Sequence, residues 1–207
     1  MNHRVGFEPT KRDLFTIECK EIQLREFSVE DLDEFYALTT QPEIIKFLPD
    51  WNVPKEQRLD WLINYEIKEN QQFLQAVSAG GNIEELRLRL GIILKETGEF
   101  IGWCCTGMKD ELPAPNREIM YAISEDHRGK GYTTQAAKGL IKYLFEHTST
   151  DVLNAIALVH NPSSNRVLQK CDFDLLKEIT IENERYHYYQ LPKWKWAEVV
   201  GSEIRSG

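Results

Sequence analysis

Between residues 118 and 159 the hydrophobic period of the chain changes twice, and this alternation restricts the fold more than any other feature. Glu118–Ser124 reads as a strand. The glycine-bearing loop Arg128-Gly129-Lys130-Gly131-Tyr132-Thr133-Thr134 follows. From Thr133 the pattern is helical, with Ala136, Ala137, Leu140, Ile141, Leu144 and Phe145 on one stripe. Leu153–Val159 is then almost wholly apolar, as a strand covered on both faces in the middle of a sheet must be. A strand, loop, helix and second strand in that order most simply make a parallel crossover.

The flanking segments supply antiparallel partners. Glu21–Phe27 alternates Ile22 and Leu24 with charged residues and reads as a strand. Ser28 caps an amphipathic helix carrying Leu32, Phe35 and Leu38, which Pro42 ends. After the aromatic stretch Phe47–Trp51, a second helix begins beyond Pro54 with Leu59, Leu62, Ile63 and Ile67. Leu86–Lys95 and Glu99–Gly107 pair as a hairpin about Thr97-Gly98. Asn161-Pro162 opens a helix to about Cys171, with Asn as cap and Pro in the first turn. Phe173–Leu191 splits around Glu182-Asn183-Glu184 into two strands. The predicted fold is α/β, a mixed, largely antiparallel sheet with one parallel strand–helix–strand crossover and flanking helices. Residues 1–20 are expected to be an N-terminal extension, 21–191 the domain and 192–207 a C-terminal tail.

Charge narrows the partners. Lys and Arg total 25 against 33 Asp and Glu, a net −8, which opposes broad binding to nucleic acid or an anionic membrane. The four cysteines form no C-x-x-C pair and read as reduced thiols of a cytoplasmic protein. Cys104 and Cys105, adjacent in a strand, should point to opposite faces. The N-terminus lacks the apolar core of an export signal, and no run approaches a membrane span. The five histidines show no metal-ligand spacing, and no metal is expected.

Glycines ahead of a helix let backbone N–H groups converge, and the helix dipole adds positive potential, so residues 128–134 suit a phosphate. A plain glycine turn is the bland alternative. The P-loop spacing G-x-x-x-x-G-K-[ST] is absent. A dinucleotide loop G-x-G-x-x-G would need glycine where Thr134 stands, and an acidic residue where His160-Asn161 ends the next strand. The acyl-carrier loop [RQ]-x-x-G-x-[GA] fits Arg128 and Gly131, with Thr133 at the last place.

A second motif separates these readings. Asn161-Pro162-Ser163-Ser164-Asn165-Arg166-Val167-Leu168-Gln169-Lys170-Cys171-Asp172-Phe173 resembles N-x-x-S-x-x-V-L-x-K-x-G-F of the RimJ/RimL-like branch of the GNAT N-acetyltransferases. Ile22-Gln23-Leu24-Arg25 resembles the family's L-x-L-R strand. Gln41-Pro42-Glu43-Ile44 through Phe47-Leu48-Pro49 resembles its D-P-E-V…Y-L segment. The likeness spans roughly residues 20–191. Met120, Asp172 and Tyr188 depart from the pattern.

The resemblance implies transfer of an acetyl group from acetyl-CoA to a primary amine, by direct attack in a ternary complex. It implies splayed fourth and fifth strands with the pantetheine arm between them, and a backbone N–H near Ile123 as oxyanion donor. Arg128, Gly129, Lys130, Gly131, Tyr132, Thr133, Thr134, Asn161 and Asn165 would bind the cofactor. Ser164 matches the serine that protonates the thiolate, or else supports the helix start. Asn161 holds pantetheine, caps its helix, or both. Glu118 is a candidate base or an exposed strand carboxylate. Phe47, Trp51, Trp103, Tyr121 and Tyr186 line an acceptor pocket or belong to the core. The acceptor is a small molecule or a protein N-terminus, and homodimer formation stays open. The second functional reading is a catalytically silent CoA-binding module for sensing or assembly.

Overall fold

The structure, a computed structural model, describes residues 14–206. It begins with strands β1 (Thr16–Glu18) and β2 (Ile22–Glu26), then helices α1 (Leu32–Thr39), α2 (Pro42–Phe47), α3 (Lys55–Trp61) and α4 (Ile67–Ser78). Strands β3 (Leu88–Leu94), β4 (Phe100–Met108) and β5 (Arg117–Ile123) lead into helix α5 (Tyr132–His147). Strand β6 (Val152–Leu158), helix α6 (Pro162–Lys170), strands β7 (Asp174–Ile181) and β8 (Glu184–Pro192) and helix α7 (Lys193–Ser206) complete the chain. All eight strands join one sheet in the order β1-β2-β3-β4-β5-β6-β8-β7. Its neighbours are antiparallel except β5 with β6, which α5 connects. The expected mixed sheet with one parallel crossover is therefore present.

Strand alternation, shifted once by a bulge at Ile101 of β4, divides the core between the two faces of the sheet. Trp103 and Cys105 pack with Phe27, Phe35, Ile44 and Leu62 on one side. Ile101 and Cys104 pack with Ala136, Ala137, Leu140 and Leu144 of α5 on the other. The adjacent cysteines thus face opposite ways, as a two-residue period requires. Burial drives the Cys105 thiol up to about 12, so it is a small apolar core residue rather than a nucleophile.

Several boundaries differ from the sequence reading. Pro42 ends α1 but also opens α2 from its first turn, where the missing N–H removes a donor that had no helical partner anyway. The second long helix is interrupted by a π turn, Leu62–Glu66, between α3 and α4. Ser28 makes a full capping box, but with Asp31 across a 3-10 turn ahead of α1. Within the expected extension, Thr16–Glu18 pairs antiparallel with β2, while residues 1–13 lie outside the described residues. The expected tail forms α7, and Trp196 packs on Phe145 with ring centroids 5.3 Å apart. The turn at Glu182-Asn183 takes positive φ at both residues (49° and 69°), as a tight hairpin demands.

Candidate active site between two diverging strands

β5 and β6 run side by side only where they begin. Their single register pair is Glu118 with Asn154. Asn154 is fully buried and saturated. Its Nδ2 donates to the carbonyls of Pro115 (2.8 Å) and Arg117 (3.1 Å). Its Oδ1 accepts from Tyr188 Oη (2.8 Å) and Gln190 Nε2 (3.2 Å). Tyr188, a departure from the family pattern, thus helps to fasten the closed end of a wedge.

The other edge of β5 stays paired with β4 to its end, and Ser124 N–H donates to Ile101 O at 2.8 Å. Bonded and unbonded pairs alternate in an antiparallel ladder. That bond therefore directs the even-numbered amides of β5 to β4 and turns Ile119, Tyr121 and Ile123 towards β6. The pair at Glu118 engages the Ile119 amide. Tyr121 and Ile123 present theirs to the wedge.

At the wide end stands the start of α5. Gly131 is its N-cap at φ 85°, and no side chain caps the helix. Gln135, bonding to Gly131 O at 3.1 Å, makes the first helical bond. The amides of Tyr132, Thr133 and Thr134 precede it and are the donors a helix start leaves over. Gly129, at φ 75°, lets the loop turn back upon itself. Lys130 is exposed, while Arg128 Nη1 lies 3.0 Å from Glu43 Oε2. Gln41 ties α2 to the same corner, donating to Ser124 Oγ (3.0 Å) and accepting from Glu125 N–H (3.1 Å). The contacts of Gln41 and Glu43 had no signal in the sequence beyond the family segment itself.

The start of α6 flanks the wedge from β6. Asn161 Oδ1 accepts from Ser164 N–H at 3.1 Å, so Asn161 caps the helix through its own side chain. Asn161→Ala should therefore cost about 1 kcal/mol in a denaturant titration; unchanged stability would separate the asparagine from the cap. The Ser164 hydroxyl takes no part in the cap and lies 3.2 Å from Tyr121 Oη. Asn165, expected at the cofactor, is buried at the same turn. Its Nδ2 donates to Leu158 O (2.9 Å) and Asn161 O (2.7 Å), and its Oδ1 accepts from Tyr189 Oη (2.7 Å). With both amide hydrogens committed, His187 Nδ1, also 2.7 Å from Oδ1, must carry a proton and donate. The Asn165 side-chain amide is filled from inside the protein and ties the β6–α6 turn to β8.

Glu118 lies on the sheet face that carries Met120, Trp103 and Cys105. It is half-buried rather than exposed, and desolvation pushes its carboxyl up to about 7, against a weaker pull from Lys109. The aromatics divide. Trp103 is fully buried core, stacked on the part-exposed Trp51 at 4.7 Å. Arg58, 1% exposed, secures Trp51 by donating to its carbonyl (2.9 Å) and pairs with Glu66 at 3.3 Å. Phe47 approaches His160 with ring centroids 6.1 Å apart, joining the end of α2 to the β6–α6 turn. Tyr186 is partly exposed on β8. Met120 packs into the core, and Asp172 takes φ 65°, the left-handed conformation for which glycine is the usual residue. Neither departure intrudes on the wedge. Among the described residues, no three His, Cys, Asp or Glu side chains gather as a metal site, and no helix is long and apolar enough to cross a membrane.

A wedge beside strand amides, opening on a glycine-led helix start without a side-chain cap, is an arrangement that suits a phosphate-bearing carrier. The family model for the acetyltransferase (GNAT) domain matches residues 21–174, and the chain belongs to the GNAT acetyltransferase family, enzymes that use acetyl-CoA as donor. The protein called uncharacterized N-acetyltransferase p20, from Bacillus licheniformis, is 27% identical over 161 residues, 76% of this chain and 82% of that one. The structure of AAC(6')-Ib with paromomycin and acetyl-CoA is similar at a TM-score of 0.66 and 15% identity, covering 86% of this chain and 97% of that one. RimL, the ribosomal L7/L12 alpha-N-protein acetyltransferase, is similar at 0.65 and 14%, covering 88% and 97%. Both structural likenesses bear on the fold alone.

Proposed function

We propose that the chain is a RimJ/RimL-like N-acetyltransferase in which a neutral primary amine attacks the thioester of bound acetyl-CoA directly, with no acetyl-enzyme. The observation that carries this reading is the wedge. It sets strand amides turned away from β4 and a phosphate-suited helix start at the open end of the same strand pair. Gly129, Lys130, Gly131, Tyr132, Thr133 and Thr134 hold the pyrophosphate, with Arg128 shared between it and Glu43. Asn161 caps α6 through Oδ1 and offers Nδ2 to the pantetheine arm. Four cysteines without a disulfide suit a reducing, cytoplasmic setting.

Strand geometry orders the two amides along that path. Glu118 and Ile123 are five residues apart on β5, roughly 16 Å at 3.3 Å per residue. An amine served by Glu118 cannot also lie at Ile123. The Ile123 amide therefore suits the pantetheine arm, and the Tyr121 amide, deeper and on the residue whose hydroxyl meets Ser164, suits the oxyanion. Glu118 takes the amine proton directly or through water, and Ser164 gives a proton to the departing sulfur. The acceptor is a small amine or a protein N-terminus, approaching from the Trp51, Met120 and Tyr186 side.

Two measurements test this. Acetyl-CoA at 100 times its Kd should stabilise the protein by about 2.7 kcal/mol, with NAD and ATP far less effective. Stabilisation by NAD alone would return the site to the dinucleotide reading. Thiol release from acetyl-CoA should rise well above hydrolysis with a member of a panel comprising spermidine, ribostamycin and tripeptides beginning with Ala, Ser or Met. Silence across the panel would favour the silent CoA-binding module.

A further inference from the structure

We propose that Tyr121 is a positioning residue for Ser164, holding the serine hydroxyl so that its proton points at the sulfur leaving the thioester. The proposal rests on the acid role given to Ser164 above. Tyr121 stands on β5 and Ser164 opens α6, so their contact spans the wedge from one strand to the far side. Tyr121 Oη lies 3.1 Å from the Ser164 carbonyl oxygen and 3.2 Å from Ser164 Oγ. A phenol has one proton and a carbonyl only accepts, which leaves two arrangements. With the phenolic proton on the carbonyl, the serine hydroxyl donates back to Tyr121. With it on Ser164 Oγ, the serine proton is released towards the wedge. Passing between them needs only rotation of two hydroxyl hydrogens, and no heavy atom moves.

Charge at the sulfur selects the second arrangement, because an O–H aimed at an anion makes the stronger, charge-assisted bond. In the transfer the amine nitrogen bonds to the acetyl carbon, and the C–S electron pair goes to sulfur. Sulfur takes the Ser164 Oγ proton, and the amine's surplus proton goes to Glu118 or water. Water at the exposed first turn of α6 returns a proton to the serine, and Glu118 gives its own back to solvent. Tyr121 keeps its proton throughout. Burial raises its pKa far above the ordinary phenol value, outweighing the Ser164 hydrogen bond that lowers it. With two Ser164 oxygens within reach of its single proton, Tyr121 is placed as a donor to Ser164. No sequence pattern announced the pair, because Tyr121 and Ser164 are 43 positions apart.

The test compares Tyr121→Phe, Ser164→Ala and the double variant, using the panel amine with the fastest thiol release. Ser164→Ala should lower kcat at least about tenfold, and Tyr121→Phe several-fold to about tenfold. KM for acetyl-CoA should stay within about twofold in both, since neither side chain is assigned to the carrier. The double variant should be no slower than Ser164→Ala alone, because Tyr121 has nothing left to position. Wild-type kcat in Tyr121→Phe, with only a change in Tm, overturns the proposal. So does a double variant that loses the product of the two single losses, which would mean that Tyr121 acts independently. Normal kcat in Ser164→Ala is a different failure: it removes the acid role first, and the positioning role with it.

Discussion

Glu118→Gln is expected to lower kcat/KM for the amine by about 10²–10⁴-fold, the range of a positioned general base. The pH profile carries the sign. The base works as a carboxylate, so the wild-type rate should rise with pH through about 7, where burial has placed its pKa, and level off above. A rise due to the acceptor's own ionisation remains in the Gln variant, but the limb near 7 disappears. Stability moves the opposite way. A carboxyl whose folded pKa is raised binds its proton more tightly in the native state, so its contribution falls as pH rises from the usual carboxylate range to about 7. Glu118→Gln, which cannot ionise, should therefore melt higher than wild type at pH 8 and close to it at pH 5. Retention of the limb near 7 in the variant would assign that titration to another group.

Gly131→Val should weaken acetyl-CoA binding on the order of 100-fold or more. At φ 85° a β-branched residue is strained, at a cost of about 1–3 kcal/mol, and the loop will relax away from the left-handed turn. That relaxation re-aims the amides of Tyr132, Thr133 and Thr134, whose charge-assisted bonds are worth roughly 1.5–3 kcal/mol each. No atom lies within 4 Å of a Cβ built at this position, so the fold itself has room for the side chain. Titration calorimetry on a variant that melts cooperatively is the measurement. Wild-type affinity there would put the phosphates elsewhere.

The crossover was legible because each of its parts is written in local pattern. β6 is apolar along its length, and α5 bears one continuous stripe that must be buried. Two glycines before a helix fix the turn into α5 in the same local way, since positive φ is a property of one residue and needs no distant partner. Asn161 as a cap and Ser164 three positions later are likewise set by helix geometry alone. Pro42 is ambiguous in sequence. Proline stops one helix for the same reason that it starts the next, and the choice depends on whether the chain has a surface to fold back upon.

What the sequence determined by itself was the order of strands β2 to β8 with α5 and α6 between them, the loop at 128–134 and the face of α5, all governed by interactions within a few residues. Tertiary structure alone decided the chemistry of the side chains around the wedge. The Glu118 carboxyl is pushed up to about 7 only because the sheet face and its surroundings withdraw water from it. The Asn165 amide oxygen is engaged within the protein because Tyr189 and His187 arrive from another strand. Tyr121 meets Ser164 because β5 and β6 part after one pair, and strand divergence is a property of two chain segments together. Desolvation and hydrogen-bond partnership depend on what is near in space, and sequence spacing carries no record of it.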